Sequence, residues 1–206
     1  IVRWSACGHL LTAVSQDYMC SPAVLERTGF DVATHIALTV ERYDAVCTAV
    51  AGRVPVMPVL QGVIPQDYVD CLRRYGDRLK PRAWVGVGNI AARQTDIELM
   101  RSILLAILRE RPDLQLHGFG LKLTSLQDFL VRSLLATADS MAWSYAARKS
   151  GRSANDWREA DAFRRHVEGM RLQQPLFNLG RLLMGEENYC GNESTETAGA
   201  GVDALP

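Results

Sequence analysis

Short apolar runs alternate with longer amphipathic segments along the first 150 residues of the chain. The short runs end in polar or small residues, which predicts buried β-strands over 10–17, 54–61, 83–88, 114–120 and 137–143. The segments between them carry apolar residues at helical spacing, which predicts helices over 22–51, 65–79, 96–111 and 125–134. Five strand–helix alternations indicate an α/β fold with a parallel sheet, a pattern that both barrels and open doubly wound sheets satisfy.

Polar residues mark where several of these helices should begin. The first predicted helix is broken near Gly29, and Asp31 is a plausible N-cap for its second part. Thr95 or Asp96 should cap the third helix, and Ser125 the fourth.

The composition changes after Arg148. Residues 149–153 form a basic, flexible stretch, and a helix should then run from Asn155 to about Met184, broken at Pro175. From Gly185 onward the chain reads as a disordered acidic tail. The expected organisation is therefore an α/β domain over 1–150, a helical extension over 151–184 and a tail over 185–206.

Bulk charge and composition exclude some classes of protein. The 206 residues carry 23 Lys+Arg and 23 Asp+Glu, so any nucleic-acid surface must be a local patch. No run of 18 apolar residues exists, which argues against a membrane-spanning helix. Five cysteines without C-x-x-C spacing favour reduced thiols in a cytoplasmic protein.

Asp139 is the most informative candidate for chemistry. It follows an apolar run at the predicted end of a strand, where a carboxylate is costly to desolvate unless it is used or paired. In α/β barrels, catalytic groups occupy such strand ends. The structural alternatives are a helix N-cap and an ion-pair partner for Arg148.

Glycines cluster at three other strand ends, at Gln61-Gly62, at 86–89 and at 118–120. Glycine permits close approach of backbone, so these ends suggest a ring of backbone around a flat ligand. Ordinary turns between strand and helix are the alternative. None of the three opens a helix with the G-x-G-x-x-G pattern, so a dinucleotide fingerprint is absent.

Five motifs, taken in order, resemble a known family. They are Asp-Tyr-Met-Cys-Ser-Pro at 17–22, Pro-Val-Leu-Gln-Gly at 58–62, Trp-Val-Gly-Val-Gly at 84–88, Leu-His-Gly-Phe-Gly at 116–120 and Ala-Asp through Arg at 138–148. Together they resemble the queuine/archaeosine-type guanine transglycosylases. The runs Gln-Asp-x-Met-Cys, His-Gly-Phe-Gly-Leu-Lys and Asp-Ser-x-Ala-Trp-Ser are closer to the branch that modifies DNA.

The resemblance, which covers roughly 14–148, implies a (β/α)8 TIM-type barrel that exchanges guanine for a 7-deazaguanine. DNA is the favoured substrate and tRNA the alternative. Because the chain starts at Ile1 without the family's Asp-Ser-Gly-Gly-Phe segment, we expect the first barrel strands to be missing, and a non-catalytic relative or fragment that binds nucleic acid stays open. A generic sugar-phosphate barrel enzyme is a more distant alternative. The zinc-site pattern of the tRNA enzymes is not present, since only Cys190 follows Arg148.

The resemblance also implies residue roles. Asp139 would be the nucleophile that forms a covalent glycosyl-enzyme. The base pocket would comprise Asp17, Gln61, Gly62, Gly86, Gly88, Asn89, His117 and Gly118. A turn-capping Gln61, a solvated strand-end Asp17 and a core His117 are the structural alternatives. For Asp17 the alignment also leaves Tyr18 possible.

Four cations near the predicted catalytic rim, Lys122, Arg148, Lys149 and Arg152, could contact phosphates. Ordinary surface charge is the alternative. Neither a metal nor a cofactor is expected. The expected partners are nucleic acid and the deazaguanine base, without a membrane, and a partner protein or a homodimer is left open.

Overall fold

The computed structural model describes residues 1–91 and 96–170 and has an α/β architecture with parallel sheets. The strands are β1 (Ala13–Val14), β2 (Val56–Met57), β3 (Val59–Leu60), β4 (Trp84–Val87), β5 (Gln115–Gly118) and β6 (Thr137–Ala138). The helices are α1 (Val2–Ser5), α2 (Pro22–Thr28), α3 (Val32–Val50), α4 (Pro65–Tyr75), α5 (Ile97–Glu110), α6 (Leu123–Gln127), α7 (Phe129–Leu134), α8 (Ala142–Lys149) and α9 (Trp157–Glu168).

All strands run parallel, and neighbours in space follow each other in sequence. One sheet pairs β1 with β2, and the other has the order β3-β4-β5-β6. Within the described residues these strands form open sheets rather than a closed barrel. The carboxyl ends of the strands therefore lie along one edge, and the loops that follow β1, β3, β4, β5 and β6 meet there.

Pro58 divides one extended segment into β2 and β3. Proline has no N–H to donate to a ladder, which interrupts the regular pairing at this position. The segment still bonds to both neighbours, because Ser15 N donates to Met57 O at 3.0 Å and Gly86 N donates to Pro58 O at 2.9 Å. The predicted strand over 54–61 is thus present and links the two sheets.

The core lies between the sheet and its amphipathic helices. α4 and α5 contribute the largest buried side chains, and β3, β4 and β5 supply the facing apolar positions. The buried residues at these positions include Leu60, Tyr68, Leu72, Tyr75, Val85, Val87, Met100, Ile103, Leu104, Ile107 and Leu116. Of the apolar strand positions that the sequence pattern indicated between 83 and 88, Val85 and Val87 are buried, and Ala83 and Trp84 are half-buried.

Several predicted helix boundaries are confirmed. Asp31 caps α3 by accepting a hydrogen bond from Thr34 N, and Asp96 caps α5 by accepting one from Leu99 N. The break near Gly29 is also present, since Gly29 ends α2 in the left-handed conformation with φ 70°.

Several predicted boundaries are wrong. The strand expected over 137–143 ends at Ala138, because the alanine-rich segment from Ala142 forms α8 instead. The helix expected over 125–134 is two helices, broken where Asp128 leaves helical geometry and caps α7 through Val131 N. Ser125 is a buried residue inside α6 rather than a cap.

The predicted extension helix begins at Trp157 as α9. Its portion after Met170, and the tail predicted over 185–206, lie outside the described residues. None of the helices in the described ranges is both long and apolar enough to cross a membrane.

Candidate active site

A cavity of about 290 Å³ opens at the carboxyl ends of β1, β3, β4 and β5. Its size is near the lower end of the range for small-ligand sites. Three residues predicted for a base pocket line it: Asp17, Gly88 and Asn89. The other lining residues are Val14, Met19, Val59, Ala91, Phe119 and Gly120.

The loop after β1, which carries Asp17, is held by three hydrogen bonds to neighbouring elements. Tyr18 N donates to Thr39 Oγ1 at 2.9 Å, and His35 Nδ1 donates to Met19 O at 2.9 Å. Cys20 N donates to the Gln61 side chain at 3.2 Å. His35 and Thr39 are fully buried on α3, so this helix fixes the position of the carboxylate.

Gln61 connects the ends of β1 and β3 from a fully buried position. Its Oε1 accepts from Cys20 N, and its Nε2 donates to Asp17 Oδ2. Both ends of the amide are therefore engaged by protein groups. The sequence predicted Gln61 as a direct base contact, whereas the structure places it behind Asp17.

Burial suppresses ionisation of the thiol beside this loop. Desolvation raises the pKa of Cys20 to about 12, with added repulsion from Cys71, Asp67 and Asp17. A thiol with such a pKa stays protonated at neutral pH and is a poor nucleophile. Cys20 is therefore a packing residue of the loop.

Protein side chains fill the space next to two of the strand-end glycines. A Cβ on Gly86 would lie 2.2 Å from the Phe119 ring, and a Cβ on Gly88 would lie 2.1 Å from Gln61 Nε2. Gly88 O also accepts from the buried Tyr68 hydroxyl at 2.9 Å. The glycines thus let Phe119 and Gln61 pack against β4 at the cavity.

Asn89 follows Gly88 in a left-handed backbone conformation with φ 58°. Its Nδ2 donates to Gly62 O at 3.1 Å, while its buried Oδ1 has no hydrogen-bond partner. Asparagine tolerates this backbone region better than most side chains do. Gly62 is itself packed tightly, since a Cβ there would lie 2.7 Å from Asp67 Cβ.

Asp139 directly follows β6, and its backbone extends the pairing with β5. Asp139 N donates to Gly118 O at 3.2 Å, and Leu121 N donates to Asp139 O at 2.9 Å. In the side chain, Oδ1 accepts from Gly120 N, a residue that also lines the cavity. The side chain is 59% exposed, so the carboxylate faces solvent beside the cavity.

His117 lies next to Asp139 rather than in the lining of the cavity. Its Nε2 is 4.0 Å from Asp139 Oδ2, and its Nδ1 is 2.8 Å from Thr137 Oγ1, which also accepts from Trp84 Nε1. Burial lowers the pKa of His117, and the Asp139 carboxylate opposes that shift only in part. The imidazole is therefore neutral at neutral pH.

Phe119 is a site residue that the sequence analysis did not assign. It lines the cavity, covers Gly86 and packs edge-on against His117 with ring centroids 4.8 Å apart. The sequence did contain a signal for this role, namely an aromatic residue between Gly118 and Gly120 at the end of a predicted strand.

A second cavity, of about 490 Å³, lies along β6 and is lined by Asp139 itself. It is lined partly by Asp139, Ser140 and Trp143 and partly by side chains of α9 such as Phe163 and Arg164. Asp139 therefore lines this second cavity, and it borders the first one through its contact with Gly120.

The predicted phosphate-binding cations differ in their surroundings. Lys122 precedes α6, and Arg148 and Lys149 are in the last turn of α8. Lys149 Nζ lies 5.3 Å from the centre of the Tyr145 ring. Arg152, in contrast, forms an ion pair with Glu159 on α9, which competes with a phosphate for the guanidinium.

Comparison with known proteins places these residues within one family match. The family described as "DpdA: DeoxyPurine in DNA protein A" matches residues 1–156, which include β1 to β6 and the Asp139 region. A search of curated proteins finds no match. Among the described residues, no three His, Cys, Asp or Glu side chains are grouped as ligands for a metal ion.

Proposed function

The chain belongs to the DpdA family, the DNA-guanine transglycosylase branch of the tRNA-guanine transglycosylase-like superfamily, and on that premise we propose that it exchanges guanine in DNA for a 7-deazaguanine. The observation that carries the proposal is the placement of Asp139 beside a base-sized cavity lined by Asp17 and Asn89. The DNA named in the family's description favours DNA over tRNA as the polymer.

The proposed reaction has two displacement steps at one sugar carbon. In the first, an Asp139 oxygen bonds to C1′ of a deoxyguanosine, the electron pair of the breaking C1′–N9 bond stays with N9, and guanine leaves as N9 takes a proton from solvent. In the second, N9 of the deazaguanine bonds to C1′ and loses its proton, and the Asp139–C1′ bond breaks. The carboxylate is regenerated, so no co-reactant is consumed.

The geometry around Asp139 supports this role. Gly120 N–H holds Oδ1, so that the opposite oxygen is left toward solvent for bond formation. The neutral His117 lies 4.0 Å from Oδ2 and does not neutralise the carboxylate by a full ion pair. A nucleophile needs one oriented oxygen and little competing charge, and both conditions are met here.

We assign the cavity to the exchanged base. Asp17 and Asn89 would contact its polar edge, and Phe119 would pack on its face beside Gly88. Gln61 would act by orienting Asp17, Gly62 by orienting Asn89, and Gly86 by making room for Phe119. His117 and Gly118 would support the position of Asp139 instead of contacting the base.

Two features of the wider fold are part of the same proposal. The sequential order of parallel strands is the order found in a (β/α)8 barrel, so we propose that these strands form part of one. We also propose that a transglycosylase domain ends near residue 150 and that α9 begins a helical extension.

The nucleophile is tested by Asp139→Asn, which keeps the size of the side chain and removes its nucleophilic charge. Incorporation of a labelled 7-deazaguanine into DNA should fall at least about a thousandfold, as for loss of other enzymatic nucleophiles. Asp70→Asn on the exposed face of α4 is the matched control and should leave incorporation unchanged.

Both DNA and tRNA are offered to the wild-type protein in this assay. The covalent intermediate should appear as a protein–DNA adduct that survives denaturing electrophoresis and is absent with Asp139→Asn. Undiminished exchange by Asp139→Asn would remove Asp139 from the mechanism. Labelling of neither polymer by the full-length protein would refute the transglycosylase function itself.

A further inference from the structure

Asn89 lines the cavity and carries a buried acceptor without a hydrogen-bond partner. The residue is 8% exposed, and its Oδ1 is buried without a hydrogen-bond partner. Buried polar atoms are nearly always hydrogen-bonded, so an orphaned acceptor in the lining of a cavity points to a donor on a ligand. The Asn89 side chain cannot be flipped to offer a donor instead, because Nδ2 is held by Gly62 O at 3.1 Å.

A second acceptor of the cavity is oriented in a similar way. Asp17 Oδ2 accepts from Gln61 Nε2, which fixes the plane of the carboxylate. Its other oxygen is then available to a ligand. Gln61 is held in turn by Cys20 N. Backbone groups therefore orient both acceptors: Gly62 O binds the Asn89 amide directly, and Cys20 N binds Gln61, which binds Asp17.

No side-chain donor faces these acceptors within the described lining of the cavity. The remaining side chains there are apolar, from Val14, Met19, Val59, Ala91 and Phe119. A ligand that fits must therefore be flat enough to lie against Phe119 and must bring at least two donors on one edge. The edge of a 2-amino-6-oxo base has such donors, namely the ring N1–H and the two hydrogens of the exocyclic amine.

We propose that Asn89 is a specificity-determining residue whose Oδ1 accepts a hydrogen bond from the exocyclic amine of the base. The proposal rests on the proposed function, because it places the exchanged base in this cavity. The free oxygen of Asp17 takes the ring N–H. A base without the amine leaves Asn89 Oδ1 buried and unpaired, a condition that sites built for hydrogen bonding reject strongly.

The test compares two bases that differ only in the amine, 7-deazaguanine and 7-deazahypoxanthine, by calorimetric binding to the full-length protein. Wild-type protein should prefer 7-deazaguanine by roughly tenfold or more. Asn89→Gly removes the acceptor and suits the left-handed backbone. This variant should bind 7-deazaguanine about tenfold more weakly, with the affinity for 7-deazahypoxanthine unchanged within about twofold.

Ala51→Gly is the matched control, because Ala51 also has a positive φ, of 50°, and caps α3 away from the cavity. It should keep the wild-type preference, and thermal melts should show that both variants fold. Equal weakening of both bases by Asn89→Gly would make Asn89 a structural support of Gly62 and overturn the proposal. Equal affinity of the wild-type protein for the two bases would also overturn the proposal, and this comparison needs no variant.

Failure of this inference is distinguishable from failure of the proposed function. If wild-type protein binds and exchanges the base while Asn89→Gly keeps the full preference for the amine, only the role of Asn89 is wrong. If wild-type protein binds neither base at millimolar concentration, the cavity is not a base site. Both proposals then fail together.

Discussion

Single residues at the strand ends determine the shape of the cavity, and the glycines are the clearest case. Gly86 and Gly88 leave room for the Phe119 ring and the Gln61 amide respectively. Phe119 lines the cavity and Gln61 lies behind Asp17, and both side chains enter the space that a Cβ would otherwise take. A methyl group at either position should disturb the wall before it meets any ligand.

Gly88→Ala tests this role directly. Its Cβ would lie 2.1 Å from Gln61 Nε2 and 3.1 Å from Leu60 O, so Gln61 must move away from Asp17. Overpacking of this kind costs about 1–3 kcal/mol of unfolding free energy, to be measured by urea denaturation. Base affinity should fall as well, because Asp17 loses the amide that orients it.

The control for Gly88→Ala is Gly8→Ala, since a Cβ on Gly8 meets nothing within 4 Å. This change should leave both stability and base affinity close to wild type. If Gly88→Ala leaves stability and base affinity close to wild type, as Gly8→Ala should, the Gln61 side chain does not occupy the position beside Gly88 that the structure gives it.

The sequence predicted which residues converge but not which of them face the cavity. Asp17, Gly88 and Asn89 line it, whereas Gln61 is one contact behind. The difference arises because the Gln61 amide, at the end of β3, lies close enough to Asp17, after β1, to donate a hydrogen bond to its carboxylate. His35, which holds the Asp17 loop through Met19 O, gave no local signal because its partner is 16 residues away.

At the scale of elements, the best predictions were for strands that are followed by helices with a distinct apolar face. The strands β4 and β5 and the helices α4 and α5 lie within their predicted ranges, because burial against both faces gives a strong pattern. The region of β6 was predicted poorly. Its two strand residues are exposed, so local helix propensity after Met141 decides where α8 begins.

The turn between α5 and β5 is tied to the start of β4 by one carboxylate. Asp113 accepts from Arg111 Nε at 2.8 Å and from Arg82 N at 2.9 Å. Arg82 has a positive φ of 59°, an unfavourable conformation that the Asp113 bond helps to hold. The hydrogen bond from Arg111 is the largest cause of a pKa for Asp113 far below its ordinary value.

Asp113→Asn should therefore lower stability in a pH-dependent way. Because the folded pKa is depressed, the carboxylate stabilises the fold above its unfolded pKa, which is near 3.8, and this contribution is lost as pH falls below that value. The difference in unfolding free energy between wild type and variant should be constant from pH 7 to about pH 5 and shrink below pH 4.

Urea denaturation at a series of pH values measures that difference. Arg111→Gln removes the same pair from its other side and should show the same pH dependence. If the difference in unfolding free energy between wild type and variant stays constant down to pH 2, the ion pair between Asp113 and Arg111 contributes nothing to the stability.

At the scale of the whole molecule, charge balance restricts how DNA can bind. The chain has equal numbers of acidic and basic residues, and several arginines in the described part form ion pairs, as Arg73 does with Glu110 and Arg164 with Asp161. Long-range attraction by net charge is therefore absent. Arg148 and Lys149 at the end of α8, roughly 10 Å along the helix from its start near Asp139, are the best candidates for phosphate contacts.

The salt dependence of DNA affinity tests this distribution of charge. Each phosphate neutralised contributes about −0.9 to the slope of log K against log salt concentration on duplex DNA. Arg148→Gln with Lys149→Gln should therefore make the slope shallower by about 1.8 and weaken binding to all sequences alike. Arg73→Gln, which removes a charge already paired on α4, should leave the slope unchanged. A double variant with the wild-type slope would place the phosphates elsewhere, since a cation that binds no phosphate releases no counterion.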